Sequence, residues 1–470
     1  MHWKKLSYLS EERIKRLQDK KTRAFIRQQI PYSPYYRELF KKIGLKFSDI
    51  RTTDDLVKIP IISKEDIAPY KNDPERHLNF VLQPDKDLIK KHMPKYKLLR
   101  FNLKEKLEQE YKPIHIHFTT GRSYVPTPFL YTNYDLGKLK EAGRRMMEVF
   151  DVSKDAVAIN GFPYAPHLAF WQSYYALLAC DIISLQTGGG KILGSDKIID
   201  AIERMKATTL LFTPGYCYHL LKEAREKMKD FSSVKEVILG GEGIPAGLRL
   251  KMKDLLGRMG AKDVRVLSTY AFTEGKVAWA QCCEEAGYHL YPDMEFIEIV
   301  KDGERCGSGE KGDIVYSALD SRGSVVLRYK TGDIGSLEED KCSFCGRTVP
   351  RINTNIERSS EFKEFNLSKI KGTLVNLNEF FNIMMGDPQI DEWQVEIKKK
   401  GRDPYDLDEL VVYVAPNAKV DIAQLKVGLR KKIHSQMELT PEIIVMDKKQ
   451  LLEKLGMETE LKEKRIVDKR

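Results

Sequence analysis

Between about residue 114 and residue 335 the chain alternates short apolar runs with segments of helical period, and this alternation restricts its fold more than any other feature. Ala156–Ile159, Thr209–Phe212, Val234–Leu239 and Val264–Leu267 read as strands, each preceded or followed by a helical pattern. Helices covering largely parallel strands, an α/β architecture, is the arrangement such a pattern specifies. At 470 residues the chain is longer than one ordinary hydrophobic core supports, so at least two domains are expected. Beyond Thr331-Gly332-Asp333 the texture changes to shorter strands, a Cys-x-x-Cys turn and a polar stretch from Asn353 to Ser368. The last hundred residues read as a small α+β unit, with strands at Asp391–Lys398, Asp408–Val414 and Ile443–Met446 and a helix over Ile422–Gln436. The first hundred are helix-rich, with an amphipathic run opening at Tyr32 and ending at Gly44, then a strand-like piece from Leu56 to Ile62 broken by Pro60. The expected division is a large α/β domain over 1–357, a hinge over 358–367 and a small mobile α+β domain over 368–470.

Bulk properties exclude several function classes. Hydrophobic residues at 42% and charged ones at 31% describe a globular chain, and no run approaches the roughly 18 apolar residues of a membrane span. Met1-His2-Trp3-Lys4-Lys5 is not followed by a signal-type apolar segment, which gives a cytoplasmic expectation. The net charge of +11 suits anionic small molecules such as ATP. Lysines interleave with glutamates on helical faces, as in Lys222-Glu223-Ala224-Arg225-Glu226-Lys227, and no basic block alternates with aromatics, so nucleic acid is not an expected partner. Seven cysteines, odd in number and partly in apolar runs, are not expected to form a disulfide framework.

The densest chemistry lies in His117-Phe118-Thr119-Thr120-Gly121-Arg122-Ser123-Tyr124-Val125-Pro126. Hydroxyls and backbone N–H groups around a glycine can wrap polyphosphate oxygens, and an arginine adds a charged fork of donors. The Gly-Lys-Ser/Thr ending of a Walker A loop is missing. Further along stand Ile238-Leu239-Gly240-Gly241-Glu242, Tyr270-Ala271-Phe272-Thr273-Glu274, Arg328-Tyr329-Lys330-Thr331-Gly332-Asp333 and Glu460-Leu461-Lys462-Glu463-Lys464-Arg465-Ile466-Val467-Asp468.

In that order these motifs resemble those of the AMP-forming adenylating enzymes, and most closely the phenylacetate-CoA ligase branch, from Tyr32 to Arg470. The resemblance implies a large adenylate-forming N-terminal domain and a small mobile C-terminal one. It makes Thr119, Thr120, Gly121, Arg122 and Ser123 the phosphate loop, with Tyr124 and Val125 standing where glycine and lysine are usual. It places Gly241 and Glu242 beside adenine, stacks Tyr270 on the base with Ala271 in place of a glycine, and puts Thr273 on phosphate. Glu274 would hold Mg²⁺, whose hard oxygen preference suits a carboxylate. Asp333 would accept the ribose hydroxyls, Arg358 would reach ribose or the α-phosphate, and Lys462 would be the mobile catalytic lysine, with Leu461 replacing a glycine and Lys464 a rival.

Two further groups carry expectations. Cys282 or Cys283, His289, Cys342 and Cys345 can supply a Cys3His structural zinc site, with Cys282 and Cys283 as alternatives; reduced core thiols are the rival reading. Tyr164, His167, Gly189 and Tyr216 fall where the branch lines its acid pocket, and the aromatics there suggest an aryl or other apolar acid.

The resemblance thus implies ATP-dependent activation of a carboxylic acid as an acyl-adenylate, then transfer to a thiol, with coenzyme A the expected acceptor. Transfer to an amine, alcohol or protein thiol is the rival within enzymes. A degenerate nucleotide- or acyl-binding protein without activity is the rival outside them, motivated by Tyr124, Val125, Ala271 and Leu461. Oligomeric state stays open, a dimer being compatible.

Overall fold

A computed structural model describes residues 2–70, 72–98, 102–119, 126–241, 243–244, 246–358, 367–370, 373–376, 378–399, 408–417, 420–437, 439–457 and 463–469. The expected phosphate-loop residues Thr120 to Val125, together with Glu242, Lys462 and residues 359–366 of the expected hinge over 358–367, lie outside them. The chain forms two compact units, one of 1–158, 165–185 and 267–357, the other of 159–164, 186–266 and 358–470.

The first unit opens with the helix Glu11–Gln28, which buries Ile14, Phe25 and Ile26, and the helix Pro34–Lys42, started by Ser33 and a proline at its first position. Both features favour a helix start, since the serine oxygen accepts an orphan N–H and proline has none to lose. The expected strand over Leu56–Ile62 is instead a 3-10 turn over Asp54–Lys58. The Asp55 carboxylate accepts from the backbone of Arg51 and Thr52 at 2.8 and 3.0 Å, winding the segment, and Ile62 alone pairs, with the backbone of Arg328 and Lys330. The strands Pro113–Phe118 and Pro128–Thr132 form an antiparallel hairpin. A capping box between Thr132 and Asp135 then begins the helix Asn133–Phe150.

Strands from Arg265 onward pair antiparallel in series: Arg265–Ala271 with Ala278–Ala280, then Tyr288–His289, then Arg351–Ile352. A second antiparallel set joins Glu295–Lys301, Gly312–Ala318 and Tyr329–Gly335. The connections from Ala271 to Ala278 and from Ala280 to Tyr288 are too short to carry the chain back for parallel pairing, which needs a crossover such as a helix.

That condition is met in the second unit, where Thr209–Phe212 and Glu236–Leu239 run parallel with the helix Pro214–Glu226 between them. The C-terminal part of this unit is a four-stranded sheet in the order Glu442–Val445, Asp408–Pro416, Ile390–Lys399, Ile466–Asp468. Trp393, Val395, Ile397, Val412 and Val414 pack against Leu425, Leu429 and Ile433 of the helix Ile422–Met437. Three of these strands and this helix match the sequence expectation to within two residues at each end, while Ile466–Asp468 is not among the expected strands.

Candidate nucleotide site, metal cluster and acid pocket

In the first unit, Tyr270 near the end of the strand Arg265–Ala271 donates its hydroxyl to Oδ2 of Asp333 at 2.9 Å. The two side chains come from motifs 63 residues apart, and both are buried. Asp333 is aimed by a bulge: pairing between Gly312–Ala318 and Tyr329–Gly335 slips between Asp313 and Val315. At the bulge Gly332 takes φ +80°, and the Thr331 hydroxyl donates to the carbonyl of Ile314 while accepting from the Asp333 N–H. A bulge re-aims a side chain at a strand end, and glycine carries the positive φ at least cost.

The Tyr270 ring stacks near Trp279, with centroids 5.8 Å apart and 28° between planes. Trp279 donates its indole N–H to Glu295 at 2.9 Å, and the same oxygen accepts from the Tyr291 N–H at 2.5 Å. Burial pushes the Glu295 carboxyl up to about 8, against the lowering effect of those two donors. Beyond Ala271, which is exposed, Thr273, Glu274 and Gly275 form one 3-10 turn, pinned by the Tyr316 hydroxyl on the Gly275 carbonyl. Glu274 is half-buried, and its Oε1 accepts from the Tyr329 hydroxyl at 2.7 Å. Tyr329 is a site residue that the sequence reading does not single out, although it lies inside the Arg328–Asp333 motif; the bulge between it and Asp333 hides their relation from simple alternation.

Thr119 clasps the described ends of the phosphate segment, its N–H meeting the Thr127 carbonyl and its Oγ1 accepting from the Thr127 N–H, both at 3.1 Å. The preceding His117 is buried, 2.9 Å from His115 through their Nε2 atoms. Burial first, then the charges of His115, Lys276 and His167, lower its pKa to about 3, so it is neutral at physiological pH. Arg358 ends the short strand Glu357–Arg358, with its side chain outside the described residues. In the second unit Gly241 is exposed at φ +87°, just past the strand Glu236–Leu239.

Cys282, His289, Cys342 and Cys345 converge, with all their ligand atoms within 4.8 Å of one another. The Cys282 and Cys342 sulfurs lie 3.7 Å apart, and Cys345 Sγ is 3.6 Å from His289 Nε2. Four donors about 2.0–2.3 Å from a tetrahedral zinc would stand at such separations. The geometry selects Cys282 over Cys283, which is not part of the group. The Cys342–Cys345 turn closes through the Gly346 N–H on the Cys342 carbonyl and the Cys342 N–H on the Arg347 carbonyl.

Three of the four expected acid-pocket residues come together in the second unit. The Tyr164 N–H donates to the Gly188 carbonyl at 3.1 Å, and a Cβ on Gly189 would stand 3.2 Å from Pro163 Cα. The Tyr216 hydroxyl lies against the next residue, Gly190, where a Cβ would come within 2.4 Å of it, and is 3.3 Å from the Ser195 hydroxyl. Ser195 escapes a reading of the sequence, since a serine opening a helix looks like an ordinary helix start. Tyr164 is 60% exposed. His167 belongs to the first unit, where its Nδ1 donates to the Phe118 carbonyl at 2.9 Å.

Residues 138–318 match the family described as AMP-binding enzyme. The phenylacetate-coenzyme A ligase of Thermus thermophilus is 23% identical over 405 residues, covering 84% of this chain and 79% of that protein. The protein of the same name from Aromatoleum evansii is 22% identical over 474 residues, covering 98% and 96%. Among solved structures, 2-hydroxyisobutyryl-CoA ligase in a postadenylation state with an acyl-AMP superposes with a TM-score of 0.75 at 19% identity, covering 99% of this chain and 91% of that one. The chain is similar to the AMP-forming adenylating enzymes, with the family match lying in residues 138–318. Within them it is similar along most of its length to the phenylacetate-coenzyme A ligases.

Proposed function

We propose that this protein is an AMP-forming carboxylate-CoA ligase acting on an aryl or other apolar acid. The observation that carries the reading is the contact of Tyr270 with Asp333, which makes one wall of two separate nucleotide motifs. On this reading the Tyr270 ring, backed by Trp279, meets adenine, Asp333 accepts from the ribose, and Thr273 meets phosphate. Glu274, its carboxylate steadied by Tyr329, would hold Mg²⁺ as the hard oxygen donor that ion takes, and would thereby supply neutralisation of charge on the phosphate oxygens. Thr120, Gly121, Arg122 and Ser123 would wrap the phosphates, and Lys462 would offset charge growing at the α-phosphorus. A carboxylate oxygen of the acid attacks that phosphorus, the bond to pyrophosphate breaks, and the acyl-adenylate forms. The sulfur of coenzyme A then attacks the acyl carbon, AMP leaves, and the thiol proton passes to solvent.

Tyr164, Gly189 and Tyr216 form the acid pocket in this reading, and their aromatic rings favour an apolar acid. The division into 1–357, 358–367 and 368–470, with rotation of the last part between half-reactions, belongs to the same proposal, as does a cytoplasmic setting. Among the described residues no helix is long and apolar enough to cross a membrane. The decisive experiment is exchange of labelled pyrophosphate into ATP with Mg²⁺ and a panel including phenylacetate, benzoate and 2-hydroxyisobutyrate, followed by coenzyme A and detection of thioester. ATP binding without exchange for any acid would favour a non-catalytic nucleotide binder, and exchange without thioester would favour another acceptor. The convergence of Cys282, His289, Cys342 and Cys345 supports a structural zinc alongside this chemistry. All four tetrahedral positions would be filled by protein, which leaves such a metal no place for substrate.

A further inference from the structure

The helix Pro214–Glu226 carries Tyr216 near its start and Lys222 two turns further on. Lys222 is 6% exposed, and no motif accounts for burying a lysine there. Its ammonium lies 4.8 Å from the Tyr218 ring centroid and donates to Glu392 and, at 2.9 Å, to the Asp391 carbonyl. Asp391 Oδ1 stands 3.3 Å away. Glu392 is fully buried in the strand Ile390–Lys399 of the C-terminal sheet, and its second oxygen is 2.8 Å from Arg465 Nη1. Arg465 in turn donates through Nε to Glu463 at 2.7 Å and through Nη1 to the Trp393 carbonyl at 3.2 Å.

The Glu463 carboxylate returns to the same helix. It rests against Gly215, where a Cβ would meet Glu463 Cδ at 2.2 Å. The ionic chain therefore begins on the helix bearing Tyr216, crosses to the C-terminal sheet and comes back to that helix through the residue next to Lys462. A buried charge whose partner is removed is costly, so each member holds the others in place. Lys448, which reaches both Glu226 at 2.6 Å and Asp391 at 3.2 Å, adds a more exposed link of the same sense.

We propose that Lys222 is a positioning residue of the acid-activating half-reaction: by clamping Glu392 and the Asp391 carbonyl onto the Tyr216 helix, it fixes, through Arg465, the segment from Glu463 onward that follows Lys462 in the chain. The inference rests on the adenylating reading above. Only the first half-reaction uses Lys462 at the α-phosphorus, so the clamp matters to that step and not to thioester formation.

The test separates the two half-reactions in purified full-length protein. Pyrophosphate exchange is measured with whichever acid of the panel exchanges fastest, and thioester formation is measured from that acid's supplied acyl-adenylate with coenzyme A. Lys222→Met is expected to slow exchange by at least about tenfold, while thioester formation stays within about twofold, because the loss is confined to the state the clamp holds. Lys222→Arg keeps the charge and should recover most of the exchange. If Lys222→Met fails to fold, the double variant Lys222→Met/Glu392→Gln removes both buried charges, and the same split is expected of it. Equal losses in both half-reactions, or no loss in either, would overturn the inference. No exchange by the wild type with any acid would overturn the adenylating reading and this inference with it; wild-type exchange with parallel losses in the variants would overturn this inference alone.

Discussion

Glu295 offers the sharpest test of how the Tyr270 wall is built. Its carboxyl is 1% exposed, and among the described residues its Oε2 has no hydrogen-bond partner. Burial raises it from 4.5 to about 8, which corresponds to about 5 kcal/mol as an upper bound. The sign follows from linkage. Folded protein keeps this proton up to about pH 8, whereas the unfolded chain releases it above about 4.5, so the stabilisation is complete below pH 4.5 and is lost as pH rises from there through 8. Glu295→Gln cannot titrate, and any fixed cost of its amide does not change with pH. The difference in melting temperature between variant and wild type should therefore shift in the variant's favour from pH 5 to pH 9. For 470 residues unfolding together, 1 kcal/mol corresponds to about 1 °C, so a relative shift of about 2–5 °C is expected. Thermal melts followed by tryptophan fluorescence at several pH values provide the assay, with Trp279 itself hydrogen-bonded to the titrating group. Parallel pH profiles for the two proteins would refute the argument, because Glu295 would then ionise alike in folded and unfolded chains.

Removing the hydroxyl in Tyr270→Phe takes a charge-assisted hydrogen bond from Asp333, worth about 1.5–3 kcal/mol, and should raise the KM for ATP about tenfold with the KM for the acid unchanged; steady-state kinetics with each substrate varied would reveal the opposite pattern. Gly190→Ala should act on the acid instead, since its Cβ would drive the Tyr216 hydroxyl aside at a cost of about 1–3 kcal/mol; an unchanged KM for the acid in the same assay would remove Tyr216 from the pocket. Elemental analysis should find about one zinc per chain, and Cys345→Ser should lose it and lower the melting temperature. Metal-free wild type with an unaltered melt would leave the four ligands as plain thiols and an imidazole.

What the sequence made legible follows the range of the interactions involved. The helix Ile422–Met437 was readable because its buried residues Leu425, Leu429, Ile433 and Met437 repeat every four positions, and the C-terminal strands because they are short runs rich in buried apolar residues such as Val411, Val412 and Val414. Leu56–Ile62 misled because its apolar content outweighed a local capture, the Asp55 carboxylate bonding backbone N–H groups three and four residues earlier. The site motifs were visible as words, yet their grammar was not. Nothing near Glu274 announces Tyr329, and nothing near Lys222 announces Glu392, 170 residues away. Choosing Cys282 over Cys283 needs the register that brings Cys342 and Cys345 alongside, which spacing alone leaves undetermined.

That register also bears on what the proposed structural metal would do in this chain. His289 pairs with Arg351 on one side and with Ala280 on the other, and Ala280 lies one residue from Trp279, the partner of Tyr270. Cys282 stands just past the end of the Ala278–Ala280 strand, while Cys342 and Cys345 come from the loop leading to Arg351–Ile352. The Tyr288–His289 and Arg351–Ile352 strands are each two residues long, too short to hold register through backbone bonds alone. A tetrahedral centre joining Cys282, His289, Cys342 and Cys345 would fix three segments at once and cross-link loops whose closure otherwise costs entropy. The rigidity so gained would lie beside Trp279, on the strand that backs the Tyr270 ring, where the proposed wall for a nucleotide base would need it.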